Sequence, residues 1–191
     1  EDPTAAFIST LAAFGAGFVA RPFGGIIFGR LGDLIGRKYT FLLTLLLMGG
    51  STFAIAFIPS YEKIGLVAPA ILLLLRIIQG LALGGEYGGA ATYVAEYAPD
   101  AERGKYTSYI QTTATLGFFV SILVILVTQQ VMGDAAFKDW GWRVPFLLSI
   151  VLLGISVWIR LQMEESPAFQ KMKAEGKHST APISEAFFQW K

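Results

Sequence analysis

Five apolar stretches, each long enough to cross a hydrocarbon layer about 30 Å thick, bound what this chain can fold into. They run from Ala5 to Gly29, Tyr39 to Ile58, Val67 to Val94, Lys105 to Val131 and Arg143 to Leu161. Each holds about 20 or more mostly apolar residues, the length at which a helix satisfies its own backbone across a bilayer. Barrel strands of about 9 to 11 alternating residues do not fit such runs. Composition agrees, with 54% hydrophobic and 15% charged residues and a mean hydropathy of +0.56. The expected class is an all-α membrane protein, a helical bundle in lipid.

A net charge of +1 gives no excess for nucleic acid binding. With no cysteine and a single histidine, His178, in a charged tail, the chain offers no metal-ligand cluster, cofactor ligand set or Ser/His/Asp arrangement. It reads as neither an enzyme nor a metalloprotein. Lys and Arg set the orientation. Arg30, Arg37, Lys38, Arg103, Lys105, Arg160, Lys171, Lys173, Lys177 and Lys191 fall on one set of connections, and only Lys63, Lys138 and Arg143 on the other. The first set is expected in the cytoplasm, which places residue 1 outside and residue 191 inside. "EDPT" then looks like the end of an external loop, with a preceding helix cut away.

The spans differ in polarity. Residues 40–58 and 144–159 carry no ionisable group and suit a lipid-facing role, whereas 5–29, 67–94 and 105–131 carry charged, amide and hydroxyl groups and should face one another or a water-filled path. In "RIIQGLALGGEYGGAATYVAEY", Arg76, Gly80, Gly84 and Gly88 recur every fourth residue, a row where backbones can touch. Gln79, Glu86 and Tyr93 form a second stripe, and Arg76 and Glu86 lie about 80° apart around the helix.

Ionisable side chains inside a membrane cost at least about 2.5 kcal/mol to insert, so each is a functional candidate. Arg76 either clamps backbone carbonyls of neighbouring helices or stands near the substrate or proton path. Equal depth and opposite charge suggest an intramembrane ion pair between Arg21 and Glu86, static or functional. Ser108, Thr112 and Thr115, with Gln111 beside them, make a polar stripe that either bonds its own helix or lines a path. Glu96 and Arg103 bracket the turn "YAPDAE", the acid ending one helix and the base opening the next.

Charge and glycine concentrate in "GRLGDLIGRK", residues 29–38. Gly29 and Gly36 are suited to a tight reversal, Asp33 to the positive end of the following helix, and Arg37 and Lys38 to the cytoplasmic side. This loop is either a latch or a solvated topogenic segment.

"GRLGDLIGRK" resembles the loop between helices 2 and 3 of the major facilitator superfamily. "RIIQG" resembles its helix 4 motif, and the spacing from Glu96 to Arg103 its 4–5 loop. "RPFGG", "FIPSYEKIGLVAP", "GGEYGGA", "WGWRVPF" and "EESPAF" together resemble the metabolite:proton symporter family. The resemblance implies a twelve-helix fold of two six-helix halves. Residues 1–163 would supply helices 2 to 6 of the N-terminal half, and 164–191 the start of the central cytoplasmic linker. "ISEAFFQW" (183–190) would be an interfacial helix or the approach to a further span.

The implied activity is proton-coupled symport of a small polar metabolite, an organic acid or zwitterion, by alternating access in a bacterial inner membrane. Its partners would be substrate, protons, lipid and the missing C-terminal half, without which five helices form no complete path. Arg76, Gln79, Glu86, Gln111 and Thr115 are the candidates for the substrate or proton pathway. Gly29, Asp33, Gly36, Arg37, Lys38, Glu96 and Arg103 are those for a cytoplasmic gate, and Gly80, Gly84 and Gly88 those for helix packing. The helix around Gly117 has no proline, unlike the antiporter pattern of the superfamily, which favours symport. The alternatives are a proton-linked exporter or passive facilitator of the same fold, and a membrane scaffold or receptor that transports nothing.

Overall fold

The computed structural model describes residues 3–175; "ISEAFFQW" and His178 lie outside them. The elements are α1 (Pro3–Ile35), α2 (Arg37–Ile55), a single turn α3 (Tyr61–Ile64), α4 (Val67–Tyr97), a 3-10 turn (Asp100–Glu102), α5 (Arg103–Met132), a short α6 (Asp134–Ala136), a π-turn (Phe137–Gly141), α7 (Arg143–Gln162) and α8 (Pro167–Ala174). Five of these helices are long and apolar enough to span a membrane, and the described residues contain no strand.

Hydropathy located the spans, but hydrogen bonding sets their ends. α1 continues past Gly29 to Ile35, so Gly29 is an interior helix residue and makes no turn. The reversal falls to Gly36 alone, whose φ of +108° lies where a side chain is disfavoured. At the far end α2 stops at Ile55 and the chain leaves through a turn, Ala56 donating to the Phe53 carbonyl.

α1 and α4 run parallel and touch backbone to backbone. A Cβ on Gly80 would collide with the Gly17 carbonyl, and one on Gly84 with the Arg21 carbonyl. Gly24 meets Leu81 in the same way, and Gly85 sits against Phe28. This is the close approach expected of small-residue rows in lipid, where packing and not water exclusion draws helices together. Gly88 continues the row in sequence but has nothing within 4 Å of its Cβ position, because the helices have separated there. It does not act in packing.

α2 is not the lipid-facing helix its lack of charge suggested. It packs antiparallel to α4 and α7 and buries Thr40, Phe41, Thr44, Ser51 and Ile55. Its buried hydroxyls need no outside partner. Thr40 donates to Gly36 O (3.0 Å), Thr44 to Phe41 O (3.1 Å) and Ser51 to Leu47 O (2.6 Å). The small polar side chains therefore allow close packing without charge. α5, expected among the inward-facing helices, is exposed throughout residues 111–120 and buries only Thr128.

Candidate functional site

The densest polar structure gathers at the Gly36 end of the bundle. Asp33 lies in the last turn of α1 and Arg37 opens α2, so the single-residue turn puts both beside the end of α4. The Arg37 guanidinium lies 2.9 Å from Glu96 and 3.8 Å from Asp33. The Arg37 and Glu96 side chains are only 16% and 17% exposed, so this pair is poorly screened by water, and removing one partner would leave the other's charge uncompensated.

Gly36 precedes α2 without a side chain to cap it, and the cap comes from far along the chain. Glu165 accepts from the backbone N–H of Arg37 (2.9 Å) and of Lys38 (3.2 Å). A carboxylate here satisfies open donors and meets the positive end of the helix dipole. In return Lys38 donates through Nζ to Leu161 O (3.0 Å), covering the end of α7. Tyr93 donates to Glu164 O at 3.0 Å and Tyr97 to Glu165 O at 3.3 Å. Ser166 caps α8 by accepting from Phe169 N (3.2 Å), and both residues are buried. "EESPAF" is therefore a strap docked on the bundle.

Glu86 does not pair with Arg21. It accepts from Arg160 at 2.9 Å, and that guanidinium stacks 4.5 Å from the Phe41 ring. The reason is azimuth. Gly84 faces α1, so Glu86, two residues on and about 200° around the helix, points away toward α7. Arg21 leans back along α1, as helical side chains do, and lies 3.8 Å over the Phe18 ring. Its Nε is buried without a hydrogen-bond partner. Arg103 likewise does not reach Glu96; it pairs with Asp100 (2.7 Å) and donates through Nε to Ala95 O (3.1 Å), closing the carbonyl end of α4.

Two cavities flank the α1–α4 seam. One, of about 330 Å³, opens where the helices diverge; Gly25, Gly29, Gly32 and Gly88 form its wall, with Asp33 and Arg37 at its edge. The other, of about 220 Å³, is lined by Phe14, Phe18, Arg21, Met48, Arg76 and Gln79, among others. Gln79 is buried in a directed chain. It accepts from Arg76 Nη1 (3.1 Å) and donates to Thr52 Oγ1 (2.8 Å), which donates to Met48 O (2.7 Å). Gln79 thus fixes Arg76 in place. Gln111 and Thr115 are exposed on α5, where Thr115 donates to Gln111 O (3.1 Å) and Ser108 to Lys105 O (2.7 Å). No described contact brings them to Arg76.

Arg160, Glu165, Thr52 and Arg143 escaped the site reading. Arg143 donates to Ile58 O (3.1 Å), joining α7 to the chain just after α2. In sequence Arg160 reads only as a topogenic charge, and Glu165 is marked by one signal, its place in "EESPAF".

The family model for the sugar (and other) transporters matches residues 3–186. The chain is 45% identical over 182 residues to the inner membrane metabolite transport protein YhjE of Escherichia coli K12, covering 95% of this chain and 41% of that protein. It is 42% identical over 170 residues to the proline/betaine transporter of the same strain, covering 89% and 34%. It therefore spans less than half the length of these relatives. Its fold superposes on the major facilitator superfamily proton:xylose symporter XylE of E. coli, bound to 6-bromo-6-deoxy-D-glucose, with a TM-score of 0.79 at 21% identity, covering 98% of this chain and 42% of that one. By sequence match, this chain of membrane-spanning helices belongs to the sugar (and other) transporter family, and its fold is that of the major facilitator superfamily symporter XylE.

Proposed function

We propose that the chain is the N-terminal portion of a secondary transporter that carries a small polar metabolite together with protons by alternating access. The carrying observation is the cavity in which Arg76, held by Gln79 and Thr52, stands within the membrane-spanning part of α4. A charge inside a span is costly unless it serves a path or a partner. In this reading the cavity side chains contact solute. Glu86, bonded to Arg160, exchanges that bond for a proton during the cycle. Gln111 and Thr115 would face the path once the remaining helices cover α5.

The Gly36 end is assigned to the cytoplasmic side, as the distribution of Lys and Arg favours. There Asp33, Gly36, Arg37, Lys38 and Glu96, with Glu165, form the gate, a set of polar bonds that can open and re-form as this half rocks against the other. Arg103 and Gly29 serve it indirectly, as a helix cap and a cavity wall. The proline/betaine transporter and the proton:xylose symporter support both the solute class and the coupling.

The test uses full-length protein in liposomes with an external pH electrode, adding organic acids and zwitterions in turn. Solute-dependent alkalinisation outside is expected. Uptake of labelled solute without a pH change would overturn coupling, and no flux from folded protein would overturn transport.

A further inference from the structure

Resting on the reading that Glu86 takes up a proton, we propose that Arg160 ties the charge of Glu86 to the docking of the "EESPAF" strap. The strap holds while Glu86 is ionised and detaches when it is neutral. The bonds concerned lie on one side of α4, where Gln79, Glu86 and Tyr93 share a stripe at seven-residue spacing. Each bonds outward, Gln79 to Thr52 of α2, Glu86 to Arg160 of α7 and Tyr93 to the Glu164 carbonyl of the strap. Of the three, the middle bond joins two opposite charges, so it is the one that protonation of a carboxylate removes.

Arg160 stands where a change on that stripe reaches the strap by two routes. Along the chain, its own carbonyl accepts the Met163 N–H (3.3 Å) that closes α7, and the next carbonyl, Leu161 O, accepts from Lys38 Nζ. Glu164 and Glu165 follow directly after Met163. Through space, the Arg160 guanidinium lies over the Phe41 ring, which meets the Tyr93 ring edge to face with centroids 5.7 Å apart. Phe41 is buried and wedged against Gly89, where an added Cβ would lie 2.8 Å from the ring, so it transmits a shift and does not absorb one. Glu165 reaches the Arg37 and Lys38 N–H groups through the space that Gly36 leaves free of a side chain. A displacement of about 0.5 Å is enough to weaken both bonds.

The other charged groups around Glu86 are engaged elsewhere. Arg37 faces Glu96 and Asp33, and Arg103 and Lys105 of α5 face Asp100 and Glu102. Arg21 lies behind the Gly84 seam on α1, Arg76 is bonded to Gln79, and Arg30, Lys171 and Lys173 are exposed. Glu165 is committed to α2, which makes its own protonation the rival cause of undocking.

The test is hydrogen exchange at the Arg37 and Lys38 amides of full-length protein in lipid nanodiscs, with the Phe57 amide, bonded to Ala54 O at the other end of α2, as control. Glu86→Gln and Arg160→Gln should each speed exchange at the first two by about tenfold and leave Phe57 unchanged, with Arg160→Lys in between. In the unaltered protein, after correction for the intrinsic rate, acidification into the carboxylate range should speed the same two amides, a result that needs no variant to fold. In Glu86→Gln acid should add little. Unchanged rates in the folded variants, an equal rise at Phe57, or no acid response in the unaltered protein would overturn the proposal. So would an acid response as large in Glu86→Gln, which would assign it to Glu165. Protection that follows Glu86 in protein without flux would sustain it and overturn transport; proton-coupled uptake with protection indifferent to Glu86→Gln would do the reverse.

Discussion

Where α1 meets α4, contact is made by what is missing, since Gly17, Gly80 and Gly84 let one backbone rest on the other. Where α2 meets α7, Gly49 packs against Leu153 along the middle, and the ends are joined by side chains reaching round them, Glu165 and Lys38 at one end and Arg143 at the other. The first joint can be altered only by overlap, because no atoms are there to rearrange. The ends of the second are bonds that a change of charge or position can release. The seam thus behaves as a fixed axis, and the ends of the bundle are where motion can be switched.

Breaking the switchable side should cost most. Arg37→Ala leaves Glu96 poorly hydrated and unpaired, and should destabilise full-length protein by about 2 to 3 kcal/mol, read as a lower thermal unfolding midpoint in mixed micelles. A loss no larger than that of an exposed lysine would reduce the clasp to a surface pair. On the fixed side, Gly84→Ala places a methyl against the Arg21 carbonyl and should cost about 1 to 3 kcal/mol in the same assay, with no relief from a compensating charge.

The comparison sharpens with a double-mutant cycle. Glu86→Gln with Arg160→Gln should show a coupling of about 1 kcal/mol, and Glu86→Gln with Arg21→Gln should be additive. The opposite pattern would restore the Arg21–Glu86 pair and undo the azimuthal argument. The smallest effect should be that of Gly88→Ala, one turn beyond Gly84 but facing open space. It should be neutral or stabilise by less than about 1 kcal/mol through helix propensity. A loss like that of Gly84→Ala would mean that the seam extends farther than the structure shows.

The five spans were legible because hydropathy depends on local composition alone, and "RIIQGLALGGEYGG" announced its close-contact row through spacing. The identity of partners was not. Arg21 and Glu86 match in depth and sign, yet which way each points depends on the residue facing the neighbouring helix, here Gly84, and that is a property of the pair. Charge-free α2 looked peripheral because buried Thr40, Thr44 and Ser51 satisfy themselves on their own helix and leave no mark in the pattern. Gly80, Gly84 and Gly88 are equivalent in sequence, and only the divergence of α1 from α4 separates the third from the first two.

The cap on α2 has a consequence for how the protein is made. The first turn of α2 is completed by Glu165, 128 residues after Arg37, whose N–H it receives. At about 5 to 20 residues per second, a ribosome takes roughly 10 s to cover that interval. Throughout it, the start of α2 waits in the nascent chain with the Arg37 and Lys38 N–H donors open. That turn is therefore closed only once residue 165 has been made, and a chain truncated before "EESPAF" would enter the membrane yet leave its second helix unfinished.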